Sequence, residues 1–307
     1  MSAEHSPDVP HTDDVVDDRI DVALVRRLVA EQFPRWAHLP VRPVEAGGWD
    51  NRTFHLGEEM SVRLPSGAGY APQVAKEQRW LPVLAPRLPV EIPTPLAYGR
   101  PGDGYPYPWS VYRWIDGRTA RGERINDLTR FATDLAAFLR ALRAVDTTDG
   151  PAPGLHSAWR GGPLSTYDAE TRAAIDAHRE RLPADTVTGI WQAALDATWA
   201  GTPVWFHGDV AFGNLLVRDG RLASVIDFGC SGVGDPACDT VIAWTLLHGP
   251  SRAVFHDALG LDEATWARGR GWALWKALIT LDDQDPAKAA DARHVLGELL
   301  AEHSVAR

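Results

Sequence analysis

With 307 residues, 45% of them apolar and 23% charged, the chain is long enough for one large domain or two modest ones, and too ordinary in composition to be disordered or collagen-like. Acidic residues number 41 against 31 Lys and Arg, a net charge of −10, which is the wrong sign for wrapping nucleic-acid phosphates and suits cationic or metal-chelated partners better. Cys230 and Cys238 complete neither a zinc site nor a disulfide framework, so a reducing cytoplasm is the expected compartment.

Residues 1–21 lack the apolar stretch of a signal peptide and carry −6, which predicts a solvated, partly flexible acidic arm. No apolar run reaches membrane-spanning length. Val22, Val25, Leu28 and Val29 recur at helical spacing and Pro34 stops the pattern, so a short helix opens the fold. Strand-type segments follow at Val41 to Glu45, Arg52 to Leu56 and Met60 to Leu64, broken by Gly47-Gly48 and Gly57. Pro72 to Leu84 reads as a helix with its proline in the first turn. Leu96 to Tyr98 and Trp109 to Trp114 add two strands, giving a five-strand sheet with one inserted helix.

Beyond Gly117 the pattern turns Ala/Leu/Arg-rich and helical, at Leu128 to Val145, Thr166 to Arg179 and Val187 to Trp199. The expected division is therefore an arm (1–21), a sheet-bearing lobe (22–115) and a mainly helical lobe (116–307), an α+β architecture. A β-rich interval from Trp205 to Phe228 interrupts the helices, which resume at Ala237 to Leu247, Asp262 to Leu281 and Pro286 to Glu302.

The run His207-Gly208-Asp209-Val210-Ala211-Phe212-Gly213-Asn214 leads into apolar Leu215 to Val217, a turn at Asp219-Gly220, apolar Ala223 to Ile226, and Asp227-Phe228-Gly229. As a hairpin it brings Asp209, Asn214 and Asp227 to one end. Phosphoryl transfer needs that combination: a carboxylate such as Asp209 positions an attacking hydroxyl, and hard oxygens such as those of Asn214 and Asp227 suit a metal on nucleotide phosphates. The five-residue spacing of Asp209 and Asn214 matches a kinase catalytic loop, and Asp227-Phe228-Gly229 reproduces the kinase metal-binding triplet.

These motifs, with Gly234-Asp235-Pro236-Ala237-Cys238-Asp239 after them, resemble the aminoglycoside phosphotransferases and their antibiotic-kinase and choline-kinase-like relatives, from about Val41 to Leu247. The resemblance implies a two-lobed protein-kinase-like fold with ATP or GTP in the interlobe cleft. It also implies Asp209 as catalytic base, Asn214 and Asp227 as Mg²⁺ ligands, and Asp235 and Asp239 as acids bracing the loop. The basic residue expected on the third strand is Arg63, where many relatives carry Lys, and its helical partner is Glu77. Gly47 and Gly48 occupy the position of a phosphate-covering loop without a full G-x-G-x-x-G. His207 fits a packed residue that orients the loop, and Trp244, Trp266, Trp272 and Trp275 fit core positions.

Ala211 stands where a protein kinase has Lys, and only four residues separate Gly229 from Gly234, too few for a peptide-docking activation segment. A small-molecule alcohol is the expected acceptor, with no nucleic acid, membrane or obligate protein partner. The family favours an aminoglycoside. Asp257, Asp262, Glu263, Asp282, Asp283 and Asp285 are candidates to hold its amines, or else helix caps and solvated acids. A macrolide or metabolic small-molecule kinase is the alternative within the class, and a non-catalytic kinase-shaped nucleotide-binding protein the alternative outside it.

Overall fold

The computed structural model describes residues 20–44, 50–120 and 124–305. Most of the expected acidic arm and the Gly47-Gly48 turn lie outside the described residues. Helix α1 (Val22–Gln32) begins where the Asp21 side chain accepts the Leu24 N–H at 2.7 Å, and it buries Leu24, Val25, Leu28 and Val29. Strands β1 (Val41–Pro43), β2 (Asn51–Leu56), β3 (Met60–Pro65), β4 (Pro95–Gly99) and β5 (Trp109–Arg113) form an antiparallel sheet in the order β1-β2-β3-β5-β4. Its apolar face, with Leu56, Val62, Leu64, Trp109 and Val111, packs with α1 into one core.

Helix α2 (Ala71–Leu84) carries Pro72 in its first turn, where no N–H bond is lost, and a second proline, Pro82, inside. Its buried face holds Glu77 beside Trp80, Leu81 and Leu84, and the last three belong to the core of the helical half. One helix thus touches both halves, and the segment before β4 joins them too: the Val225 N–H donates to the Glu91 carbonyl at 3.0 Å.

The helical half contains α3 (Leu128–Arg143), α4 (Asp168–Ala177), α5 (Ala184–Asp196), α6 (Ile242–Thr245), α7 (Gly249–Leu259), α8 (Glu263–Ile279) and α9 (Pro286–Val305). Phe131, Phe138, Trp191, Trp205, Trp244 and Trp266 fill its core. The helix expected over Ala237 to Leu247 is instead a 3₁₀ turn, Pro236–Thr240, followed by the single turn α6. Asp235 caps the former by accepting the Ala237 N–H, and Pro236 removes the donor needed to extend a helix backwards. Helix α7 has no counterpart in the sequence expectation, because its buried side chains are only Ser251, Phe255 and Leu259, too thin a stripe to read as periodicity.

The β-rich interval divides between two sheets. Strand β7 (Val204–Phe206) pairs with β10 (Gly232–Gly234), while β8 (Leu215–Arg218) and β9 (Arg221–Val225) form the expected hairpin, with β6 (Arg118–Thr119) added beside β8. Asp219 and Gly220 both have positive φ, 54° and 75°, the left-handed pair required by a tight two-residue hairpin turn. Among the described residues no helix is long and apolar enough to cross a membrane.

Candidate active site

The hairpin register determines the centre of the site. Leu215 pairs with Val225, and one step further the Ile226 N–H donates to the Asn214 carbonyl at 2.9 Å, so Asn214 and Asp227 emerge from the same end. The Asn214 amide donates to the Asp209 carboxylate at 2.8 Å and to its carbonyl at 3.0 Å. With the Asn214 amide nitrogen so engaged, its side-chain oxygen has no hydrogen-bond partner among the described residues. The sequence pattern and the structure agree in uniting these three residues.

The loop that presents Asp209 is clamped from beneath. The buried Asp239 carboxylate accepts the N–H of His207 at 2.8 Å and of Gly208 at 2.7 Å. The His207 ring donates through Nε2 to the Ile226 carbonyl at 3.0 Å, packs edge-on to Phe228, and accepts the Asp209 N–H at Nδ1. His207 therefore orients the loop. Gly208 has φ +85°, and a Cβ there would stand 2.5 Å from the Cys230 carbonyl oxygen. Gly208→Ala is expected to displace Asp209 and lower kcat by about 10–100-fold, since displacements near 1 Å carry penalties of that order; unchanged steady-state kinetics would show the loop to be tolerant.

The sheet side contributes Arg63 and Glu77. The Arg63 guanidinium reaches Asp227 at 3.3 Å and Glu77 at 3.7 Å, and the Tyr112 hydroxyl donates to the other Glu77 oxygen. Burial opposes the guanidinium's charge, but Asp227 and Glu77 outweigh it and hold Arg63 above its ordinary value. Burial likewise pushes the Asp227 carboxyl up, and the charge and hydrogen bond of Arg63 lead the effects that more than reverse this. The expected Arg63–Glu77 pair is present and connects the two halves through Asp227, whose backbone is left-handed at φ 65°.

Two further neighbours belong to the site. Lys76 donates to the carbonyls of Gly229 at 2.5 Å and Ser231 at 2.9 Å and to His156 at 2.9 Å, so it fastens α2 to the loop after Asp227. Burial pushes its ammonium down to about 8. Asp50 shares the site's electrostatics: burial and then the Asp227 charge raise its carboxyl to about 6. Its one signal in the sequence is its place beside the Gly47-Gly48 pair, which alone says nothing of charge.

A five-stranded sheet, one bridging helix, and a helical half bearing an Asp/Asn/Asp hairpin define a protein-kinase-like phosphotransferase. The model of the phosphotransferase enzyme family matches residues 41–272, well over half of the chain, and the protein belongs to that family; it is a small-molecule kinase. No curated protein matches the sequence. The fold is similar to that of the GDP and kanamycin complex of APH(2")-IIia, with 20% identity, a TM-score of 0.68, and coverage of 94% of this chain and 100% of the other. The streptomycin–ATP complex of APH(2")-IIa gives 17% identity, a TM-score of 0.58, and coverage of 92% and 98%. Macrolide 2'-phosphotransferase MphH from Brachybacterium faecium gives 23% identity, a TM-score of 0.59, and coverage of 91% and 97%.

Proposed function

We propose that the protein is a Mg²⁺-dependent O-phosphotransferase that moves the γ-phosphate of ATP or GTP to a hydroxyl of a small molecule. One observation carries this reading: Asp209, Asn214 and Asp227 meet at one end of the β8–β9 hairpin, and Arg63, paired with Glu77, reaches them from the sheet. Similar folds bound to GDP and to ATP support a nucleotide donor.

In this mechanism the Asp209 carboxylate accepts the acceptor's hydroxyl proton, and the Asn214 amide keeps that carboxylate aimed. The hydroxyl oxygen bonds to the γ-phosphorus, and the bond to the β,γ-bridging oxygen breaks with its electron pair left on the departing diphosphate. Arg63 faces the phosphates and Glu77 fixes the guanidinium. Gly47 and Gly48 are assigned to the cover over the phosphates by their place between β1 and β2.

The residues fit a hard divalent cation. Asp227 and the side-chain oxygen of Asn214 are hard oxygen donors, and the Asp50 carboxyl, raised by burial first and then by the Asp227 charge, lies in the same field. Bound there, Mg²⁺ would neutralise phosphate charge as it shifts to the leaving group. Asp227→Ala is expected to raise the Mg²⁺ concentration giving half-maximal rate at least tenfold; the same Mg²⁺ dependence in variant and wild type would remove Asp227 from the ligand set.

Kinship supports an aminoglycoside acceptor, since similar folds carry kanamycin and streptomycin, and MphH extends the range to macrolides. The acids proposed to hold an aminoglycoside's amines have partners within the chain that fit the other reading, helix caps and solvated acids. Asp262 accepts the Thr265 N–H at 2.7 Å, Asp282 pairs with Arg181 at 2.8 Å, and Asp257 and Glu263 both lie 3.3 Å from His256. Asp285 accepts the Ala287 N–H, and Asp283 accepts that of Asp285. A non-catalytic nucleotide-binding role is tested by following phosphate release from MgATP with wild type and Asp209→Asn side by side.

A further inference from the structure

Asp209 borders a cavity of about 140 Å³ that excludes Arg63, Glu77 and Asp227 from its walls and is lined instead by side chains including Arg160, Thr245, Trp272, Trp275 and Lys276. The volume is below the roughly 300–1,000 Å³ of pockets that enclose drug-sized ligands. Asp209 is the one acid among the described residues that line it. The charge of these walls is therefore the reverse of what a polyamine needs.

Neither cation forms an ion pair among the described residues. Arg160 lies over the rings of Trp275 at 5.1 Å and Trp272 at 6.0 Å, and its one side-chain hydrogen bond among the described residues goes to the Ala158 carbonyl at 3.3 Å. The Lys276 ammonium has no hydrogen-bond or ion-pair partner among the described residues. Burial first, and then the Arg160 charge, push Lys276 below its ordinary value against the smaller opposing pull of Asp209. The Thr245 hydroxyl is also buried without a hydrogen-bond partner among the described residues. Arg160 follows two non-glycine residues in left-handed conformation, Ala158 at φ 44° and Trp159 at φ 56°. That backbone is held by the Tyr167 hydroxyl on the Ala158 carbonyl at 2.8 Å and by the Trp159 N–H on the Gly154 carbonyl at 2.9 Å. Strain that the surroundings enforce concentrates where a side chain must be aimed.

We propose that the acceptor is a compact hydroxy acid whose anionic group sits between Arg160 and Lys276, with its hydroxyl at Asp209 and its carbon skeleton against Trp272 and Trp275. The inference rests on the phosphotransferase reading and narrows its substrate. A guanidinium and an ammonium bordering one largely apolar-walled cavity bind a carboxylate through charge-assisted hydrogen bonds, whereas a polycationic acceptor would add like charge beside two cations that have no ion-pair partner among the described residues. The chemistry is unchanged: the hydroxyl oxygen takes the γ-phosphoryl group, its proton passes to Asp209, and the nucleoside diphosphate leaves. The rival role for these cations, holding the transferring phosphoryl group, predicts an equal loss with every acceptor.

The experiment offers full-length protein and MgATP a set of matched acceptors, namely glycerate, 3-hydroxybutyrate, 4-hydroxybutyrate and mandelate, each with its primary amide, alongside kanamycin and erythromycin. Phosphate transfer is read by mass shift, and binding by calorimetry in the presence of MgADP. At least one acid should be preferred over its amide by tenfold or more in kcat/KM. Lys276→Gln and Arg160→Gln should raise that acid's KM at least tenfold and bring the acid-to-amide ratio toward one. Equal use of acid and amide, kanamycin taken in place of every acid, or a Lys276→Gln effect confined to the KM of MgATP would each overturn the proposal. If no acid is phosphorylated and none binds in a Lys276-dependent manner, the proposal is also wrong. In that outcome, MgATP hydrolysis that still depends on Asp209 leaves the kinase reading standing, and hydrolysis indifferent to Asp209 removes both.

Discussion

Asp209→Asn is expected to lower kcat for phosphoryl transfer by about 10²–10⁴-fold, the usual contribution of a positioned general base. The substitution keeps the shape, and an asparagine oxygen can still accept from the Asn214 amide at the place where the carboxylate accepts at 2.8 Å. It removes the proton acceptor alone. MgATP affinity should stay within about threefold of wild type, because the Arg63–Glu77 and Arg63–Asp227 contacts do not involve Asp209. Single-turnover transfer and a nucleotide titration on the same preparations separate the two effects. Transfer within tenfold of wild type would take the base role from Asp209; a parallel loss of nucleotide affinity would mean that the loop, rather than the proton acceptor, had been damaged.

The centre of this site was legible because its signals are local. Asp219-Gly220 between two apolar runs announces a tight hairpin, and a hairpin dictates that residues before its first strand meet those after its second. Arg63 and Glu77 were placed by strand and helix order and meet as that order requires. What the sequence concealed depends on convergence across the chain. Arg160 comes from a loop aimed by a left-handed Ala158-Trp159 pair, a conformation that no composition rule assigns to those residues. Lys276 lies on α8, whose buried residues surround the helix, so periodicity does not distinguish the face that borders Asp209. Trp272 and Trp275 are buried as expected of core residues, yet they also wall the cavity. The Gly47-Gly48 expectation lies outside the described residues.

Arg268→Met is expected to produce the largest loss of stability, about 3–5 kcal/mol, and with it a fall in Tm on the order of 10 °C. Arg268 and Asp235 form a buried two-pronged pair at 2.6 and 3.1 Å, with side-chain exposures of 6% and 4%. Removing the guanidinium leaves the Asp235 carboxylate buried with the Ala237 N–H as its remaining hydrogen-bond partner among the described residues, and an uncompensated interior charge costs far more than the net worth of the pair. Removing both charges, as in Asp235→Ala with Arg268→Met, should therefore cost less than the sum of the single losses, by about 1–3 kcal/mol of coupling. Thermal unfolding of wild type, both single variants and the double variant at fixed pH measures the cycle, and additive losses would contradict the pairing argument. The consequence reaches the chemistry through a short chain of contacts. Asp235 caps the Pro236–Thr240 turn, that turn carries Asp239, and Asp239 holds the His207 and Gly208 N–H groups from which Asp209 projects. At a temperature where Arg268→Met is still fully folded, kcat should fall while the KM of MgATP does not, because the contacts of Arg63 are made on a different element.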